Sequence, residues 1–324
     1  MRKRIYLFPL LFLLPLLSLA QIKPAEGDTV NYRLVGFTFP AEENAAAYKL
    51  EIANGIINNS VDFVAGIFST SQYNSNKIIA TLPEFGKSYT WRITVLDKKN
   101  KARKTLPLNH FNIGMLPYVD TALNRLLIID SAKKHKDMYI IPDYTKVMYD
   151  MNGNALWYLP EIPGAMDRFA EIRDLKATRY GTFTFLSQES VYEINYDGKV
   201  LWKSASSGVD SLDFYHHEFT HLNNGHYMVA NNELVNIKVD KTKVDSVFKL
   251  PTMYDEQGNA IRKIHMAVLQ ELDSSGKIVW EWKSAKYLMG DTNFVKTNPM
   301  YLHELSPHMN SFYYDEPNEV IYMS

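Results

Sequence analysis

The chain has 324 residues, room for about two domains at roughly 150 residues each. Hydrophobic residues make up 46% and charged residues 22%, a composition that builds a packed core and argues against disorder. Lys and Arg number 35 against 36 Asp and Glu, a formal charge of −1, so no basic surplus exists to hold a nucleic-acid backbone. With no Cys there is no disulfide framework, thiolate metal site or cysteine nucleophile, and stability must come from burial. Aromatic residues at 13% favour strands over helices.

The first twenty residues read as a secretory signal, outside the fold. Arg2, Lys3 and Arg4 form a basic start, Ile5 to Leu17 is apolar, and Ser18-Leu19-Ala20 supplies small residues before a cleavage at Gln21. The apolar run is too short to span a membrane comfortably, and no Cys follows for a lipid anchor. Losing these three cations takes the formal charge from −1 to −4. A mildly acidic exported protein is expected, periplasmic or secreted, with no membrane span in its mature form.

Residues 21–115 carry strand signals. Tyr89, Trp91, Ile93 and Val95 alternate with polar residues, and Asp97 to Asn100 makes the turn that follows. Tyr48 to Ile52 alternates too and ends at Asn54-Gly55. About 95 residues of short strands predict a β-sandwich. The Tyr-x-Trp-Arg-Ile-x-Val strand resembles one near the end of fibronectin type III modules.

Residues 116–324 repeat. Asp150 to Trp157, Asn195 to Trp202 and Asp273 to Trp280 each hold a polar turn with Gly four residues before Trp. A turn Gly of positive φ before an aromatic strand is a hairpin signature. Gly153 and Gly198 lie 45 residues apart, and the longer step to Gly276 fits a charged insertion at roughly Leu234 to His265. A period near 45 predicts a β-propeller, with a second sandwich as the alternative. The expected class is all-β.

Four histidines, His216, His217, His221 and His226, fall within eleven residues, and His308 begins a similar segment. Each segment runs histidine, polar turn, apolar strand, the strands being Tyr227 to Ala230 and Val320 to Met323. If each such strand were innermost in its blade, His217 and His308 would converge on the central channel. Zinc ligation by the cluster is possible, but no H-E-x-x-H helix occurs, and no metal or cofactor is expected. The sharper reading makes paired histidines the acid, base and anion binder for a group transferred as an anion. His221 and His226 read as structural.

At this point the segments become specific. His216-His217-Glu218-Phe219 with Leu222-Asn-Asn-Gly225 resembles the "HHD…LPNG" segment of bacterial aryl-sulfate sulfotransferases, and His308-x-Asn310-Ser311-x-x-Tyr314-Asp315 resembles their "HxNSxxYD" segment. Leu269 to Trp282 is similar to the strand pair between them. The resemblance, covering about residues 120 to 324, implies a six-bladed propeller behind a β-sandwich. It implies sulfuryl transfer from a phenolic sulfate donor to a phenol acceptor through a transient sulfohistidine, without a nucleotide donor. His308, with His217 or its neighbour His216, is then a sulfonate-binding or acid/base residue; alternation along the strand leaves open which of the pair faces the channel. Glu218 replaces the family's Asp. The family's Arg and its nucleophilic histidine would fall after Ser324, so three blades and the start of a fourth are expected here, and residues 1–324 alone would lack the covalent step. Two rivals remain. One is a non-catalytic propeller binding carbohydrate or a protein partner, and the other a quinoprotein-like propeller whose cofactor-ring residues are not recognisable. Oligomeric state is not legible.

Overall fold

The computed structural model describes residues 22–116, 126–135, 137–142, 145–163, 171–187, 190–205, 215–238, 253–288 and 309–324. The expected leader, residues 1–20, lies outside them, as does His308. The fold is all-β, and the chain divides into two compact units, 1–115 and 116–324.

The first unit contains β1 (Asp28–Val30), β2 (Leu34–Thr38), β3 (Ala47–Asn54), a short helix α1 (Ser60–Gly66), β4 (Ile67–Tyr73), β5 (Lys77–Thr81), β6 (Ser88–Leu96), β7 (Ala102–Thr105) and β8 (Asn109–Ile113). One sheet runs β1-β8-β6-β3-β4 with β7 also on β6, and β2-β5 forms a second sheet. Both sheets feed one core. Val35 and Phe37 from β2 and Ile78 from β5 pack with Leu50, Ile52, Trp91, Ile93 and Phe111. Trp91 is 1% exposed, its ring edge-on to Phe37 at 5.1 Å, and truncating such a residue costs about 3–5 kcal/mol. The alternation of β6 puts Tyr89, Trp91, Ile93 and Val95 in this core as expected, but Thr90 and Thr94 on its other face are buried as well. The cause is local. Thr90 bonds the Gly55 carbonyl and the Ile57 N–H, Thr94 faces buried Glu51, and Arg92 lies over the α1 ring of Phe63.

The second unit is a series of meanders. It contains β9 (Tyr139–Ile140), β10 (Val147–Asp150), β11 (Ala155–Tyr158), β12 (Ile172–Ala177), β13 (Phe183–Ser187), β14 (Val191–Ile194), β15 (Val200–Lys203), β16 (Phe219–His221), β17 (Tyr227–Lys238), β18 (Met253–Tyr254), β19 (Ala260–Leu272), β20 (Ile278–Lys283), the short helix α2 (Ser284–Leu288), β21 (Phe312–Asp315) and β22 (Val320–Met323). The sheets are β9-β10-β11, β12-β13-β14-β15, β16-β17-β19-β20 with β18 on the far part of β19, and β21-β22. No sheet among the described residues closes on itself.

The three Gly-x-x-x-Trp segments form the last hairpin of three successive sheets. Each turn closes with the Gly N–H donating to the carbonyl three residues earlier: Gly153 to Asp150 (3.0 Å), Gly198 to Asn195 (3.0 Å) and Gly276 to Asp273 (2.8 Å). The leading Asp or Asn side chain accepts further backbone N–H groups, and each Gly has φ of 81–83°. A register shift lies in the strand before each turn, β10, β14 or β19, the one-residue bulge such loops require.

These hairpins also fix one sheet to the next. Trp157 stacks on Phe183 at 4.5 Å and donates its indole N–H to the Tyr196 carbonyl in the next hairpin turn. Trp202 stacks on Tyr227 at 3.8 Å and donates to the Ser274 carbonyl. Each joint runs from a last strand to the second strand and last turn of the following sheet.

One expectation changes. Tyr227 to Ala230 is not an innermost strand: β17 lies second in its sheet, with β16 at the edge. Where it is described, the charged insertion lengthens β17 and β19, whose ladder carries Leu234 opposite His265 and continues to Lys238 opposite Ile261; residues 239–252 of it lie outside the described residues. Val320–Met323 is a strand as read, paired with β21.

Candidate functional site at the first strands of successive sheets

The starts of β12, β16 and β21 share a device, a break in register. In β12 it falls between Arg173 and Lys176, with Asp174 at φ 52°. Ahead of β16, His216 N–H donates to the Ala230 carbonyl at 3.1 Å while Ala230 N–H donates to the Glu218 carbonyl at 3.0 Å, so the histidines bow out opposite one residue. His217 at the bow has φ 58°. Left-handed Asp is uncommon and left-handed His more so, and such strain persists only where surroundings hold it. Ahead of β21, Asn310 N–H donates to the Ser324 carbonyl and Ser324 N–H to the Ser311 carbonyl.

An ionic cluster braces the histidine bow. Asp174 Oδ2 accepts the Phe219 N–H at 2.9 Å and lies 2.8 Å from Lys176 Nζ, which also pairs with Glu218. Two carboxylates thus share one ammonium. Burial pushes the Asp174 carboxyl up to about 7; repulsion from Glu218 adds to this, against Lys176 and the Phe219 N–H.

The histidines do not form one group. His216 is buried at 2% exposure and His217 is partly exposed, their rings edge-on at 5.2 Å. His221 turns to the buried carboxylate of Glu193, Nδ1 to Oε2 at 3.0 Å, and His226 pairs with Glu271 at 2.6 Å near the Asn224-Gly225 turn. His308 lies outside the described residues. Met309 beside it is buried and packs with Leu222, Met228 and Ala230, seating this segment on the β16–β17 face. Beside these strands opens a cleft of about 510 Å³, lined by Lys176, Arg179, Glu218, His221 and Tyr314 among others. Arg179 pairs with Glu316 at 3.0 Å, and Glu316 accepts the Asn223 N–H at 2.8 Å, tying three sheets together at its rim.

Asp174, Lys176 and Glu193 escape a histidine-centred reading. A signal for Asp174 existed: Gly181 and Gly225 close the first hairpins of their sheets, and Asp174 stands seven residues before one as His217 stands eight before the other. Glu193 had none, being one polar residue in an apolar strand.

A family profile described as Arylsulfotransferase (ASST) matches residues 124–324. No curated protein matches the sequence. Among solved structures, a rhamnogalacturonan lyase, YesW, shows 12% identity over 83% of this chain and 43% of its own, at a TM-score of 0.21. The chain spans less than half that enzyme's length, and the likeness is too low to support any argument. No helix among the described residues is long and apolar enough to cross a membrane.

Proposed function

The chain belongs to the arylsulfotransferase family, and from that premise we propose that it is an exported enzyme moving a sulfuryl group from a phenolic sulfate to a phenol. The observation that carries this reading is the bowed His216-His217-Glu218 segment, braced by Asp174 and Lys176, inside the span the family profile matches. The repeated indole-to-turn joints support a propeller for residues 116–324, and the core shared by two sheets supports a β-sandwich for residues 21–115.

In the first half-reaction a histidine nitrogen lone pair forms a bond to sulfur. The sulfur–oxygen bond to the aryl group breaks, its electron pair passing to the phenolate, which takes a proton. The acceptor reverses these events. Charge gathers on the three sulfuryl oxygens, and His217, His216 and His308 serve as donors to them, with the sulfohistidine formed on another histidine.

The test is transfer from 4-nitrophenyl sulfate to a second phenol by the full-length protein. Turnover that collapses in His308→Ala, with an unchanged melting temperature, supports the reading. Near-normal kcat/KM in that variant removes His308 from the site, and no transfer from any aryl sulfate removes the function.

A further inference from the structure

We propose that His221, oriented by Glu193, is the base that takes the proton of a phenol bound in the cleft beside β12, β16 and β21. Only the identification of that phenol as the sulfuryl acceptor rests on the transfer reading; the phenol site stands on geometry.

Glu193 is 3% exposed on β14. Its carboxylate accepts the Tyr227 hydroxyl at 2.6 Å and the Thr182 hydroxyl at 2.5 Å, and faces His221 Nδ1 at 3.0 Å. An acceptor already taking two hydroxyl protons favours a proton on Nδ1, which leaves the lone pair on Nε2. The ring cannot swing freely, because Tyr180 lies at 4.5 Å on one side and Tyr227 at 4.6 Å on the other. A carboxylate-held imidazole with one nitrogen left to exchange protons is the arrangement a general base needs.

Its surroundings suit an aryl ligand. The His221 side chain is 17% exposed and lines the cleft, unlike His226, which pairs with Glu271 away from the cleft lining. Phe312 and Tyr314 give the cleft aromatic walls for a ring, and its volume of about 510 Å³ is that of a small-molecule site. Charged groups facing it are Lys176 and Arg179 from the β12 side, Glu218 on its own segment, and Glu316 after β21. Arg179 is neutralised by Glu316, and Lys176 by the Asp174–Glu218 pair, so a phenolate meets cations without a bare charge beside it.

In the transfer step the phenol O–H bond breaks and the proton passes to His221 Nε2. The oxygen pair forms the new bond to sulfur while the bond from sulfur to its carrier nitrogen breaks, that nitrogen keeping the pair. Glu193 stabilises the imidazolium until its proton leaves to water.

The experiment titrates 4-nitrophenol, whose phenolate alone absorbs in the visible, into the full-length protein at a pH where the free probe is mostly phenol. Bound phenolate absorbance is expected, lost in His221→Gln, retained in His226→Gln, with affinity at least tenfold weaker in the first variant. In the unmutated protein the His221 nitrogen resonances should move toward imidazolium on binding, a readout independent of variant folding. An unbound probe, or a phenolate signal that survives His221→Gln, overturns the proposal. A His221-dependent signal without sulfuryl transfer removes the transfer reading and leaves the phenol site.

Discussion

Trp157 donates its indole N–H to the carbonyl of Tyr196 at 2.8 Å, across from the last strand of one sheet to the last turn of the next. Trp157→Phe keeps the stack on Phe183 but leaves that carbonyl without its donor. A loss of about 1–3 kcal/mol in unfolding free energy is expected by denaturant titration. Trp202→Phe should cost less, since Trp202 is only partly buried and water can replace it at Ser274. Equal or reversed costs would deny that the joint stabilises.

The turn glycines provide a second comparison. A Cβ on Gly198 would stand 2.1 Å from Cγ of Pro160, a ring that cannot fold away, whereas one on Gly276 meets nothing nearer than 3.8 Å. Both positions have left-handed φ, costing alanine about 1–2 kcal/mol. Gly276→Ala should show that cost alone, and Gly198→Ala about 3 kcal/mol or more. Thermal melts of the two variants separate backbone strain from the packing of adjacent sheets.

Asp174 makes stability depend on pH in a known direction. Its folded value of about 7 exceeds the ordinary 3.8, so between these limits the folded protein holds a proton the unfolded chain releases. The associated stability is full below about pH 3.8 and is lost as pH rises through about 7. Asparagine cannot lose it. The melting temperature of Asp174→Asn minus that of the unmutated protein should therefore rise from about pH 5 to about pH 8 and then level. A difference flat across that range would show that Asp174 takes up no such proton.

Much of this was legible in the chain. The turn glycines, the Trp after each and the alternation of Tyr89 to Val95 are local rules, and local rules survive folding. Strand order is not local. That β16 rather than β17 holds the sheet edge follows from pairing across the sheet, which fixes where His217 projects from. Likewise the insertion at Leu234 to His265 gives no sign in sequence that its two ends, 234–238 and 261–265, extend neighbouring strands by pairing with each other. That His221 meets Glu193, 28 residues earlier, is likewise set by strand pairing and has no local signal in the chain.

The proposed histidine-borne intermediate is tested most directly by mass spectrometry of the full-length protein, quenched after mixing with an aryl sulfate and no acceptor. The account predicts one sulfuryl group on a histidine, discharged when a phenol is added, and formed far more slowly in His217→Ala and His308→Ala. Transfer to the phenol with no histidine ever modified, or modification at full rate in both variants, would contradict it.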